Sequence, residues 1–256
     1  MLTEFRLKVA AITHQGKARE HHEDSIAVES WVCSVPMEDV RLFEFSLERP
    51  VLCLVADGMG GHAAGEVASR YAADRFATEI EGRNLDDDDL SVLLQGINKE
   101  LFNRMAANPA VTGMGTTVAG LLAQGGGAQN LVFNVGDSRV YRVQDGFLAQ
   151  LSTDDVAGAR TTGDGTIVKT GRITQALGGA STYMEILPHV LNDKSCVGRT
   201  YLLCSDGLTD MVSLDDMEAS LMPDLVSSVR NLFAKAMAGG GHDNISILLA
   251  RIEGSR

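Results

Sequence analysis

The sequence predicts an α+β fold in which helices cover antiparallel sheets, and three observations carry that prediction. Short Val- and Leu-rich runs at 51–56, 131–135 and 201–205 have the length of buried strands and close at or near glycine. Elsewhere, apolar residues recur at helical spacing over three longer stretches. The strands predicted between 116 and 151 follow one another too closely for βαβ crossovers, so hairpins must join them.

The run 51–56 stops at Asp57-Gly58, and a helix follows it. Ala64, Ala68, Ala72, Phe76 and Ile80 recur every four residues, with Val67 and Tyr71 alongside and Gly82 beyond. Asp86 to Asp89 cap a second helix, whose Leu90, Leu94, Ile97, Leu101 and Met105 keep the spacing until Pro109 stops it. This acidic run suits the positive end of a helix dipole and lacks the alternating ligands and internal glycine of a calcium loop. Strands are expected at 116–122, 131–135, 139–143 and 147–151, turned at 125–127 and at Asp145-Gly146. The glycine-rich, polar segment 156–172 reads as a mobile surface loop. Pro223 opens a helix with Leu225, Val229, Leu232, Phe233, Ala236 and Met237 on one face, ended by glycines 239–241 before a last strand at 245–252.

Composition narrows the function. The 256 residues are 45% hydrophobic, enough for one large core, so a single domain spanning 1–256 is expected. A net charge of −12 without any Lys/Arg cluster argues against nucleic acid as a partner. The start, MLTEFRLK, lacks an apolar signal core, and Cys33, Cys53, Cys196 and Cys204 show no CxxC spacing. A reduced, cytoplasmic protein with buried, inert thiols is therefore expected. Residues 105–136 carry no charge, yet Pro109, three threonines and a glycine loop break them into pieces too short for a membrane span. They read as sheet core, with no membrane partner.

The chemistry lies where strands stop. Asp57, Asp137 and Asp206 stand where apolar runs leave the core, and Glu23-Asp24 and Asp243-Asn244 add further acidic candidates. Carboxylates gathered in a poorly solvated place repel one another, so a shared site demands a cation. An all-oxygen donor set favours Mg²⁺ or Mn²⁺ over zinc. Two such ions activate a water and clamp a phosphoryl oxygen, which makes phosphoester hydrolysis the reaction this set suits best.

The chain also resembles the bacterial form of the metal-dependent protein serine/threonine phosphatases of type 2C, the PPM family. Seven segments carry the resemblance in order: 16–24 (GKAREHHED), 55–69 (VADGMGGHAAGEVAS), 113–117 (GMGTT), 135–141 (VGDSRVY), 173–178 (ITQALG), 204–208 (CSDGL) and 242–246 (HDNIS). It implies a four-layer αββα sandwich of two antiparallel sheets flanked by helices. It implies hydrolysis of phosphoserine and phosphothreonine by direct attack of a metal-bridging hydroxide, with two Mn²⁺ or Mg²⁺ ions per chain. By that resemblance Asp57 bridges both ions, the Gly58 carbonyl binds one, and Asp206 and Asp243 hold the other. Asp24 acts through metal-bound water, Asp137 and Asp210 line a third, weaker ion site, and Arg19 grips the substrate phosphate. A metal-bound water or His62 protonates the leaving oxygen. The implied partners are phosphorylated proteins, targets of a bacterial serine/threonine kinase, and a monomer is expected.

Simpler readings stand beside these. Asp-Gly is ordinary turn chemistry, Arg19 alone is an ordinary surface ion-pair partner, and His14, His21, His189 and His242 lack ligand spacing. Residues 58–65 lack the Lys-Ser/Thr of a nucleotide P-loop, so close helix packing explains their glycines better. Ser138 has no base at recognisable spacing. The family pattern is altered at Met59, at His22 and at Asp155-Val156, which stands where relatives carry His-Ser. The changes at His22, Asp155 and Val156 motivate an alternative: a pseudophosphatase that binds phosphoproteins without turnover. Segment 156–172 lies where bacterial relatives carry a variable flap.

Overall fold

A computed structural model describes residues 5–60, 64–125, 128–158, 160–161, 167–168 and 172–254 of the protein. Alternation along single strands decides its layering. In β1 (Phe5–His14), Leu7, Val9 and Ala11 enter one apolar cluster, while Ala10 and Ile12 enter another. In β5 (Val51–Met59), Val51, Cys53 and Val55 share the first of these clusters, and Leu52, Leu54 and Ala56 enter a third. Strands buried on both faces need a layer on each side.

The layers follow from the pairing. One sheet runs β4 (Arg41–Ser46), β1, β15 (Ile245–Gly254), β14 (Thr200–Cys204), β8 (Arg139–Gln144) and β9 (Phe147–Gln150). The second runs β13 (His189–Lys194), β7 (Gln129–Val135), β6 (Gly115–Ala123), β5, β2 (Asp24–Val28) and β3 (Trp31–Cys33), with β12 (Leu177–Gly178) also on β6. A two-stranded ladder joins β10 (Arg160–Thr161) to β11 (Ile167–Val168). Every described ladder is antiparallel. Helices α1 (Ala64–Ile80) and α2 (Asp87–Ala107) cover the second sheet. Helices α3 (Asp206–Thr209), α4 (Leu214–Ala219) and α5 (Leu225–Ala238) cover the first. The result is the expected four-layer αββα sandwich.

Small residues set how close α1 sits. Ala68, Ala72 and Ala73 are fully buried against the sheet, and Phe76 and Ile80 supply bulk further along, each worth ~2 kcal/mol of burial. At its start, a Cβ on Gly58 would lie 2.3 Å from the Gly65 carbonyl oxygen, so backbone touches backbone there. Close packing is thus the reason for these glycines. Asp86 and Asp89 form a reciprocal capping box on α2, as the acidic run predicts. Asp224, rather than Pro223, begins α5: its Oδ2 accepts the Ser227 N–H at 2.7 Å. The β8–β9 hairpin turns through Asp145 (φ 54°) and Gly146 (φ 86°), as expected.

The uncharged stretch 105–136 spans the end of α2 together with β6 and β7. Among the described residues no helix is long and apolar enough to cross a membrane. The cysteine expectation needs correction, because Cys53 and Cys204 are buried but Cys33 and Cys196 are only partly so. The ends of segment 156–172 are tied by a bridge between Val156 and Ile173 and by the Ala157 N–H on the Arg172 carbonyl at 2.7 Å. Much of the remainder lies outside the described residues.

Candidate metal centre

Both sheets bring carboxylates to one end of the sandwich. Asp24 opens β2 directly across from Asp57 in β5, and the two-residue period puts both on the inter-sheet side with Ile26, Val28 and Val55. From the other sheet, Asp206 follows β14 at the start of α3, and Asp243 immediately precedes β15. Asp137 follows β7. Asp210 caps the end of α3 and is exposed, its N–H on the Asp206 carbonyl.

Serines fix Asp24. Its Oδ2 accepts the Ser205 hydroxyl at 2.9 Å and the Ser246 hydroxyl at 2.6 Å, while its Oδ1 is buried without a partner. Asp137 Oδ1 and Asp206 Oδ1 are buried and unpartnered in the same way. Burial raises all the central carboxyls. Asp24 is pushed up to about 6 by lost hydration, its serine bonds opposing the rise. Asp206 reaches about 7 through burial and then repulsion from Asp243, Asp137 and Asp24. Asp57 is raised well above the usual range, first by burial and then by Asp24, Asp206 and Asp243. Asp137 is pushed up to about 6 by burial, with Asp154 and Asp210 adding to it.

The Asp57 carboxyl stands close enough to Asp24 and Asp206 for their charges to raise it. Carboxylates crowd in this way only when a proton or a cation stands between them. Orphaned acceptors, oxygen donors throughout and mutual repulsion fit a hard divalent cation. Even so, no group of three or more His, Cys, Asp or Glu among the described residues is already set to hold one ion. Asp243 is engaged elsewhere: its Oδ2 accepts Arg19 Nη2 at 2.5 Å, and its Oδ1 accepts the Asn244 N–H at 2.8 Å. The structure therefore brings Asp24, Asp57 and Asp206 together and pairs Arg19 with Asp243. That contact raises the Arg19 guanidinium further. His62 lies outside the described residues.

Sequence reasoning missed the supporting residues. Asn244 Oδ1 accepts the Glu23 N–H at 2.7 Å, and its Nδ2 donates to the carbonyls of Gln15 and His21 at 2.9 and 3.0 Å. One amide thus holds the whole loop that carries Arg19. A second chain runs from His22 Nε2 to Thr13 Oγ1 (3.0 Å), to Ser246 Oγ (2.7 Å) and on to Asp24. Burial lowers His22 to about 4, so it is neutral at pH 7. The polar residues in HDNIS and CSDGL were the available signal, but their partners are far away in sequence. Of the histidines set aside earlier, His14 Nδ1 accepts the Gly16 N–H at 2.9 Å and His189 meets Asp155.

Comparison with known proteins agrees with the geometry. Residues 35–239 match the family model described as Protein phosphatase 2C. The serine/threonine phosphatase stp of Listeria monocytogenes is 34% identical over 269 residues, covering 97% of this chain and 95% of that one. The serine/threonine protein phosphatase PstP of Mycobacterium tuberculosis is 33% identical over 96% of this chain, which spans only 45% of its length. A crystal structure of the PstP catalytic domain in complex with two manganese ions superposes with a TM-score of 0.74, at 32% identity, covering 97% of this chain and 99% of that one. The chain belongs to the protein phosphatase 2C family. Curated relatives that it resembles include bacterial serine/threonine phosphatases.

Proposed function

We propose that this protein is a divalent-metal-dependent phosphatase acting on phosphoserine and phosphothreonine in proteins. One observation carries the reading: Asp24, Asp57 and Asp206 meet from two sheets, and one buried oxygen each of Asp24 and Asp206 has no protein donor. Asp57, the Gly58 carbonyl, Asp206 and Asp243 would hold two Mn²⁺ or Mg²⁺ ions, and Asp137 with Asp210 a weaker third. When bound, such ions lower the pKa of a shared water and withdraw charge from the phosphoryl oxygens.

The protein's own groups do the rest. Ser205 and Ser246 fix Asp24 so that only its Oδ1 faces the centre. Asn244 holds the loop of Arg19, whose guanidinium spends a single donor on Asp243 and keeps the others for a phosphoryl oxygen. Ser138 is fully buried and bonded to Thr117 Oγ1 at 2.7 Å, so it is no nucleophile, and direct attack of water on phosphorus is the route the family resemblance implies. The substrates are targets of a bacterial serine/threonine kinase.

Hydrolysis of a phosphothreonine peptide should require Mn²⁺ or Mg²⁺ and stop with chelator. Tight peptide binding without metal-dependent turnover would instead establish a pseudophosphatase.

A further inference from the structure

Two adjacent aspartates outside the metal set, Asp154 and Asp155, grip the turn that presents Asp137 from both sides. Asp155 Oδ2 accepts the Gly136 N–H at 2.8 Å, and the Asp155 N–H donates to the Gly136 carbonyl at 3.0 Å. Asp154 takes Arg139, two residues beyond Asp137, through both carboxylate oxygens, with a shortest contact of 2.6 Å. The turn needs this support. Gly136 has φ of +103°, and a Cβ there would lie 2.5 Å from the Thr117 side chain, so its backbone conformation excludes other residues.

Asp155 also reaches away from the turn. Its carbonyl accepts the Thr174 N–H at 2.7 Å, beside the Val156–Ile173 bridge at the base of segment 156–172. Its Oδ1 meets His189 Nε2, on the edge strand β13, at 2.9 Å. The Asp155 side chain is only 11% exposed, so water screens these contacts little. A carboxylate is rigid and presents two acceptors at a fixed angle. Thr174 bonds the Asp155 main-chain carbonyl while Gly136 bonds its carboxylate and its N–H, so motion at Thr174 reaches Gly136 through one residue.

We infer that Asp155 is a positioning residue that couples Thr174 and the Val156–Ile173 bridge to the Gly136–Asp137 turn, so that the packing at Thr174 sets how Asp137 is presented. The inference rests on the phosphatase reading only in assigning Asp137 a use. A plain structural role predicts a general loss of stability, whereas coupling predicts a local, shared loosening at two separated places.

The test compares Asp155→Ala, Asp155→Asn and His189→Phe with the unsubstituted protein. Amide exchange is read at Gly136, Asp137 and Thr174, and Mn²⁺ dependence by calorimetry and by phosphopeptide turnover. With Ala, exchange at Gly136 and Thr174 should rise together by about tenfold or more beyond any global change, and the weakest Mn²⁺ requirement should rise by about tenfold. Asparagine keeps one good acceptor and should restore part of both effects. Faster exchange at Thr174 without Gly136, or an unchanged Mn²⁺ requirement despite a loosened turn, overturns the inference. If Asp155→Ala does not fold, Asp155→Asn and His189→Phe carry the same readouts. Absence of metal-dependent turnover in the unsubstituted protein defeats the phosphatase reading instead, and exchange still decides the coupling.

Discussion

The two ends of the sandwich treat a buried carboxylate in opposite ways. At the end where β14 begins, Asp193 is 8% exposed and fully answered: Arg142 Nη1 donates at 2.8 Å, the Tyr201 hydroxyl at 2.6 Å, and Arg199 lies 3.7 Å away. At the end where β14 stops, Asp24, Asp57 and Asp206 are crowded together, and Arg19 goes to Asp243 instead. The chain has arginines and uses them to neutralise an acid where the need is structural. Leaving three acids unneutralised elsewhere marks that place for cations from solution.

Exchanging charge for amide at each end should separate the roles. Asp57→Asn should lower metal-dependent turnover on the order of 10³-fold, while raising the melting temperature measured in chelator, because one repelling carboxylate is gone. Full activity in this variant would remove Asp57 from the site. Asp193→Asn should do the reverse, costing about 3 kcal/mol of stability by leaving Arg142 short of its partner. Its Mn²⁺ dependence should be unchanged, and an altered metal requirement would show that the two ends are not independent.

A smaller effect comes from pH. Asp24 and Asp206 titrate near 6 and 7 in the folded protein, against an ordinary value of 3.8. Without metal, the folded state then holds protons that the unfolded chain has released, so the stability these groups supply is complete below about pH 4 and is lost as pH rises through 7. Groups lowered by ion pairs, such as Asp39, Glu44 and Asp216, act with the opposite sign, their contribution being lost as pH falls. Thermal melts in chelator should therefore decline between pH 5 and 7.5 by about 1 kcal/mol or more. Saturating Mn²⁺ should flatten or reverse the decline. A metal-free melting curve indifferent to pH would mean that the carboxylates do not crowd one another.

Much of this contrast was legible in the sequence wherever local pattern carries it. Apolar runs that stop at aspartate, the four-residue spacing of α1 and the acidic cap of α2 depend only on neighbours along the chain. β1 was missed although Arg6 and Lys8 alternate regularly with Leu7 and Val9; each charge is answered only across the sheet, by Glu44 and Glu253 at 2.8 Å. β13 was missed because an edge strand such as HVLNDK is polar for good reason. The register that sets Asp24 against Asp57, the Arg19–Asp243 pair and the three bonds of Asn244 join residues far apart in the chain. No window of sequence contains them.

The long ladder of β1 with β15 pairs Phe5 with Gly254 and His14 with Ile245. Asp243 lies just before that late strand, and Asn244 reaches back to the loop after β1. A nascent chain still short of residue 254 on the ribosome therefore owns most of its acidic groups but not their arrangement. The centre is complete only once β15 has paired with β1, which makes the contact most distant in the chain the one that closes the site.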